Sequence, residues 1–116
     1  MPVSEAAMKS ILKNAFQTAS IISFLLKRNK EIPDQMVDAL KKEPRTIAYV
    51  MGDVVKFINN NFVLRDLPFD SFMQTRFPKK LLKIIKQNPS VQKDIVQILK
   101  MYISEEIIKK YFSNEK

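Results

Sequence analysis

Apolar residues recur three and four positions apart over almost the whole of this chain, and prolines divide the pattern into segments. That spacing predicts amphipathic helices. From Ser4, a candidate N-cap, to Arg28, one stripe runs through Met8, Ile11, Leu12, Ala15, Ala19, Ile22 and Leu26. From Ile21 onward the apolar surface widens to take in Phe24 and Leu25, as in a helix at the centre of a bundle or in an oligomer interface. Lys27 and Arg28 complement the negative helix end, and Asn29 offers a left-handed stop.

Pro33 falls in the first turn of a second helix reaching Glu43, buried through Met36, Val37 and Leu40. Pro44 separates it from a third helix, whose stripe is Ile47, Val50, Met51, Val54, Val55 and Ile58. Gly52 lies inside that helix at a cost of roughly 1 kcal/mol relative to Ala. Close packing against a neighbour would account for it. The run Asn59-Asn60-Asn61 ends the helix.

Residues 62–77 are less regular, yet Phe62, Val63, Leu64, Leu67, Phe69, Phe72, Met73 and Phe77 are too apolar for water. They predict a folded-down loop with one short helix over Pro68 to Thr75. Pro78 opens a helix ending near Asn88, and Asn88-Pro89 reads as an N-cap with a first-turn proline. A final helix from Ser90 to Phe112 would bury Val91, Ile95, Ile98, Leu99, Tyr102, Ile103 and Ile107, with 113–116 frayed. No strand pattern persists. The chain therefore reads as one all-α domain over 1–116, a bundle of five or six helices.

Composition narrows the chemistry. There is no His, Cys or Trp, and Gly52 is the only glycine. An imidazole base, a thiolate, a nitrogen or sulfur ligand for zinc and a glycine-rich phosphate loop are all ruled out. The adjacent Glu105 and Glu106 point about 100° apart on a helix and do not face each other. Asp66 and Asp70 suit helix starts, and the acidic pattern is too sparse for a dedicated metal nuclease. The expectation is a protein that is not an enzyme and uses no cofactor or metal. The methionines fall on or near apolar stripes, as core filling or an adaptable groove. With no long apolar run and no secretory pattern after Met1, the expected setting is intracellular, in the cytoplasm or around nucleic acid.

The net charge of +8 comes from 16 Lys and four Arg, a bias that AT-rich coding alone can produce. Its placement is more informative. Residues 1–75 carry a net +2 and residues 76–116 a net +6, and Arg76 to Lys93 holds six basic residues without one acid. On a helix Lys79, Lys83 and Lys86 share one face, with Lys80 beside them and Leu81, Ile84 and Ile85 opposite. Such a row suits a line of phosphates, bound through counterion release without reading bases. The expected interface with RNA or DNA is Arg76, Lys79, Lys80, Lys83, Lys86 and Lys93, with Phe77 placed to stack a base. A lysine-rich amphipathic helix also needs a solvated face, and that alone accounts for the row. A basic helix can lie on anionic lipid too, although this one has only about three turns. Lys27, Arg28 and Lys30, with Lys41, Lys42 and Arg45, would extend the basic face only if folding brought them alongside. The reading is thus a small basic protein that binds nucleic acid, as a subunit of a nucleoprotein complex. The alternative is a protein-interaction or regulatory adaptor module, homo- or hetero-oligomeric, that uses apolar faces of the first or last helix.

Overall fold

The described stretches of three–four periodicity are helical. The computed structural model describes residues 14–61 and 66–113. Among them are seven helices and no strand: α1 (Ala15–Lys27), α2 (Asp34–Lys42), α3 (Thr46–Asn61), α4 (Asp66–Met73), α5 (Arg76–Lys86), α6 (Pro89–Leu99) and α7 (Glu105–Phe112). The all-α class holds, but the count exceeds the five or six expected. The proposed N-cap Ser4, the stripe residues Met8, Ile11 and Leu12, and Phe62, Val63 and Leu64 lie outside the described residues.

The extra helix comes from the C-terminal segment. The expected helix over Ser90 to Phe112 is two helices, α6 and α7. After Leu99 the backbone tightens, with Met101 N–H donating to Ile98 O and Tyr102 N–H to Leu99 O at 3.2 and 2.9 Å. Ser104 is then extended (φ −66°, ψ 152°), and its hydroxyl caps α7 by accepting from Ile107 N–H at 3.5 Å. Glu105 and Glu106 occupy the first turn, where the helix dipole favours negative charge. The break shifts the buried stripe to Ile108 and Phe112, leaving Ile107 half-buried. Gln92 is buried with its side-chain amide donating to Phe112 O at 2.7 Å, tying α6 to the end of α7. Ser113, expected to fray, caps α7 with its N–H on Lys109 O at 3.2 Å.

Other boundaries follow local chemistry. Asn14 caps α1 through Oδ1, which accepts from Gln17 N–H at 3.1 Å. Asn29 adopts φ 55°, and Lys30 N–H returns to Leu25 O while Asn29 N–H returns to Leu26 O, a Schellman stop. Pro33 is the N-cap of α2 rather than a first-turn residue. Pro78 lies two residues into α5, and its missing N–H costs that first turn nothing. Asn88 precedes Pro89 at the start of α6, but its amide donates backward to Ile84 O at 2.7 Å and closes α5 instead.

The core centres on α3. Ile47, Val50, Met51 and Val55 have no solvent exposure, and the helix packs against α1, α4 and α6. Leu40 of α2, Phe69 of α4 and Ile95 and Leu99 of α6 are equally enclosed. Each such side chain stabilises the fold by about 1.5–3 kcal/mol relative to exposure. The first helix is less central than its width implied, with Phe24 52% and Phe16 44% exposed. Leu67, expected to avoid water, is 66% exposed on α4. Around Gly52 the nearest contact for an added Cβ would be Ile98 Cγ2 at 3.9 Å, an ordinary van der Waals distance. Close packing therefore does not require glycine there.

Candidate nucleic-acid interface

Helix α5 is strongly two-sided. Pro78, Leu81, Ile84 and Ile85 are buried against the bundle, while Arg76, Lys79, Lys83 and Lys86 are exposed. At about 100° per residue those four cations fall within one arc of roughly 80°, and Lys79 to Lys86 spans about 10 Å of helix axis. Among the described residues Lys79, Lys83 and Lys86 form no ion pair with a carboxylate. Lys93 is exposed on the next helix, α6, which packs against α5.

The row is not clear of acids along its whole length, and the exception comes from a distant part of the chain. Asp34, the first residue of α2, pairs with Lys80 Nζ and lies 3.9 Å from the Arg76 guanidinium. The hydrogen bond and charge of Lys80 hold the Asp34 carboxyl below its ordinary value, and Arg76 adds to the effect. Lys80 is only 31% exposed and is drawn toward α2, which packs against α5. Of the six cations expected to act together, the structure keeps Lys79, Lys83 and Lys86 in an unpaired row, shares Arg76 with Asp34, and diverts Lys80. Phe77 also departs from expectation. It is half-buried and packs on the hydrophobic core, not beside the lysines.

Arg76, Phe77 and Lys80 instead line a cavity of about 640 Å³ that opens between α1, α3, α4 and the start of α5. Its apolar walls include Leu26, Ile32, Val54, Phe57, Phe72 and Phe77. Lys27 and Lys30, from the end of α1, line the same cavity, as do the carboxylates of Glu31 and Asp53. Folding therefore joins one of the smaller basic clusters to the start of α5, around a cavity that the spacing of charges could not reveal. In the other cluster Lys41 pairs with Asp38 at 3.6 Å and Arg45 with Glu43 at 2.8 Å, while Lys42 is exposed. Arg28 lies 3.6 Å from the ring centroid of Phe24, a cation–π contact.

The two carboxylates of α4 have structural partners. Asp70 of α4 accepts from Lys110 of α7 at 3.0 Å and from the Tyr111 hydroxyl. The Tyr111 hydrogen bond, reinforced by Lys110, lowers the Asp70 carboxyl. Burial and the same hydrogen bond raise the Tyr111 phenol, and the bond to Asp70 raises the Lys110 ammonium. Asp66 accepts from Ser104 N–H at 3.0 Å, so both α4 carboxylates fasten α7. Asp66 opens α4 as a helix-start residue, but Asp70 is the fifth residue of that helix, and their spacing gave no sign of these partners. Ser90 and Lys93, three residues apart as in some nucleophile–base pairs, are both exposed and share no hydrogen bond.

Among the described residues no three His, Cys, Asp or Glu side chains are grouped to hold a metal ion, and no helix is long and apolar enough to cross a membrane. Comparison with known proteins finds no matching family model, curated protein or solved structure.

Proposed function

We propose that this protein is a non-enzymatic nucleic-acid-binding protein that contacts RNA or DNA phosphates, without reading bases, through the outer face of α5. The observation that carries this reading is the row itself: Lys79, Lys83 and Lys86 are exposed along one face of α5, with no carboxylate partner among the described residues and no acid between Arg76 and Lys93 in sequence. Lysine is a flexible point charge on a long stem, suited to backbone phosphates rather than to bidentate base recognition. Arg76 extends the row at its start, and Lys93 supplies a further exposed cation on α6.

The test is a salt titration of binding to generic duplex DNA and RNA. Engagement of three or four phosphates gives a log–log slope of about −3. Reversing Lys79, Lys83 and Lys86 together to Glu abolishes binding with helical content unchanged. A flat salt response, or full binding by the reversed protein, overturns the proposal.

A second reading is a protein-interaction module acting through α1. Its support is the exposed aromatic group of Phe16, Phe24 and Tyr49, in which Phe16 and Tyr49 meet edge to face at 5.3 Å. Aromatic side chains of this kind are enriched at interfaces. Mass measurement in solution at micromolar concentration tests the self-associating form, and a strict monomer removes it.

A further inference from the structure

Among the described residues four carboxylates are half-buried, and three of them are engaged. Glu43 pairs with Arg45, Asp66 accepts from Ser104 N–H, and Asp70 holds Lys110 and Tyr111. Asp53 is the fourth. It meets no cation among the described residues, and it lines the cavity between α1, α3, α4 and α5. A partly desolvated carboxylate gains from a donor, and this one is open enough for a molecule in the cavity to supply it.

The surroundings of Asp53 narrow the ligand. Phe57 stands one turn further along α3, and Phe72 and Phe77 come from α4 and the start of α5. All three are half-buried on the cavity wall and offer stacking surface to a flat aromatic group. Lys27, Lys30 and Arg76 line the cavity too and are exposed, which puts them at its mouth with Glu31 beside them. Asp34, 3.9 Å from Arg76, is already paired with Lys80. An amine would suit Asp53 and the rings, but the cationic mouth repels it. A lipid anion would suit the mouth and gain nothing from Asp53. A nucleotide matches all three features: a flat base for the rings, an exocyclic amino group for the carboxylate, and a phosphate for the cations. The volume of about 640 Å³ is in the range of small-molecule sites. Arg76 also begins the α5 row, so a strand lying along that row would pass the mouth.

We infer that the cavity takes the base of an unpaired nucleotide, stacked on the aromatic wall, with its amino group donating to Asp53 and its phosphate at Lys27, Lys30 and Arg76. The strand form of this inference rests on phosphate binding by α5, whereas a free nucleotide tests the cavity alone. Of the two RNA pyrimidines cytosine is favoured, because its N4 is a donor where uracil carries the O4 acceptor.

The test is titration of the isotope-labelled full chain with cytidine and uridine monophosphates, followed by amide chemical shifts, beside short single-stranded oligomers of each. Cytidine monophosphate shifts the amides of Asp53, Phe72 and Phe77. It binds about tenfold more tightly than uridine monophosphate, the worth of one hydrogen bond to a charged group. The oligomers show the same preference. Asp53→Asn, whose amide donates as well as accepts, removes most of that preference. A merely structural aspartate would leave the ratio unchanged. Phe72→Leu keeps an apolar side chain and weakens both nucleotides by about tenfold, as loss of one stacking ring does. Reversal of Lys79, Lys83 and Lys86 abolishes binding of the oligomers but not of the mononucleotides, so failure of the α5 reading and failure of this one are distinguishable. Equal binding of the two mononucleotides, binding of neither, or an unchanged preference in Asp53→Asn overturns the inference.

Discussion

Lys79, Lys83 and Lys86 of α5 and Lys110 of α7 all stand on outward sides of their helices, and the fold treats them in opposite ways. On α7, Lys110 meets Asp70 of α4 at 3.0 Å, and Tyr111 shares the same carboxylate. On α5, Lys79, Lys83 and Lys86 meet no carboxylate among the described residues, and Lys80 alone is taken by Asp34. Lys110 is part of a fastening between helices, whereas Lys79, Lys83 and Lys86 stay exposed. A cation's role is set by what packing places opposite it, and lysine frequency along the chain does not report that.

The largest effect is expected where the α7 fastening meets the core. Phe69→Ala removes a fully enclosed ring from α4, the helix that carries Asp66 and Asp70. We expect a loss of about 3–5 kcal/mol in urea unfolding. If α4 were a loose attachment, the loss would be well under that.

The fastening itself is tested by pH. Asp70 titrates below 3.8 in the folded protein, so its contribution is present above the ordinary carboxylate range and lost as pH falls through the lowered folded value. Lys110 and Tyr111 are raised from 10.5 and 10.0, so their contribution is present at neutral pH and lost in alkali. Asp70→Asn should lower the melting temperature at neutral pH, with the gap from wild type closing below about pH 4. It should leave nucleic-acid binding unchanged. A pH-independent gap would assign the effect to packing instead of charge.

Asp34→Asn addresses the other helix. Removing the acid that, among the described residues, pairs with α5 releases Lys80 and Arg76. We expect a few-fold gain in nucleic-acid affinity and a salt slope steeper by about one. Unchanged binding would show that the two cations near α2 stand outside the interface.

The smallest effect concerns the axis that both regions share. Gly52→Ala should stabilise the protein by up to about 1 kcal/mol, since the added methyl finds Ile98 at 3.9 Å without crowding. Destabilisation would mean that α3 and α6 sit closer than that distance implies.

Periodicity made most of the fold legible before any coordinates. The stripes of α2 and α3 are buried as expected, and Asn29 and Pro89 stand at the helix boundaries they mark. The break between α6 and α7 was missed because Tyr102, Ile103 and Ile107 continue the apolar spacing across it. Its signal was local and was present in Ser104-Glu105-Glu106, a cap followed by two first-turn acids. The candidate site was legible only in part. The lysine row of α5 followed from helical geometry, but Asp34 is 46 residues from Lys80 and no spacing rule connects them.

The sequence by itself determined that this chain is helical, that α5 has one apolar and one cationic face, and that His- and Cys-based chemistry is excluded. These are properties of composition and of side chains within a few residues of one another, where helical geometry is known in advance. Tertiary structure alone decided which cations are neutralised, that Phe77 packs on the core, and that Lys27 and Arg76 line one cavity. Those depend on how helices distant in sequence cross, which is set by the summed packing of the whole core.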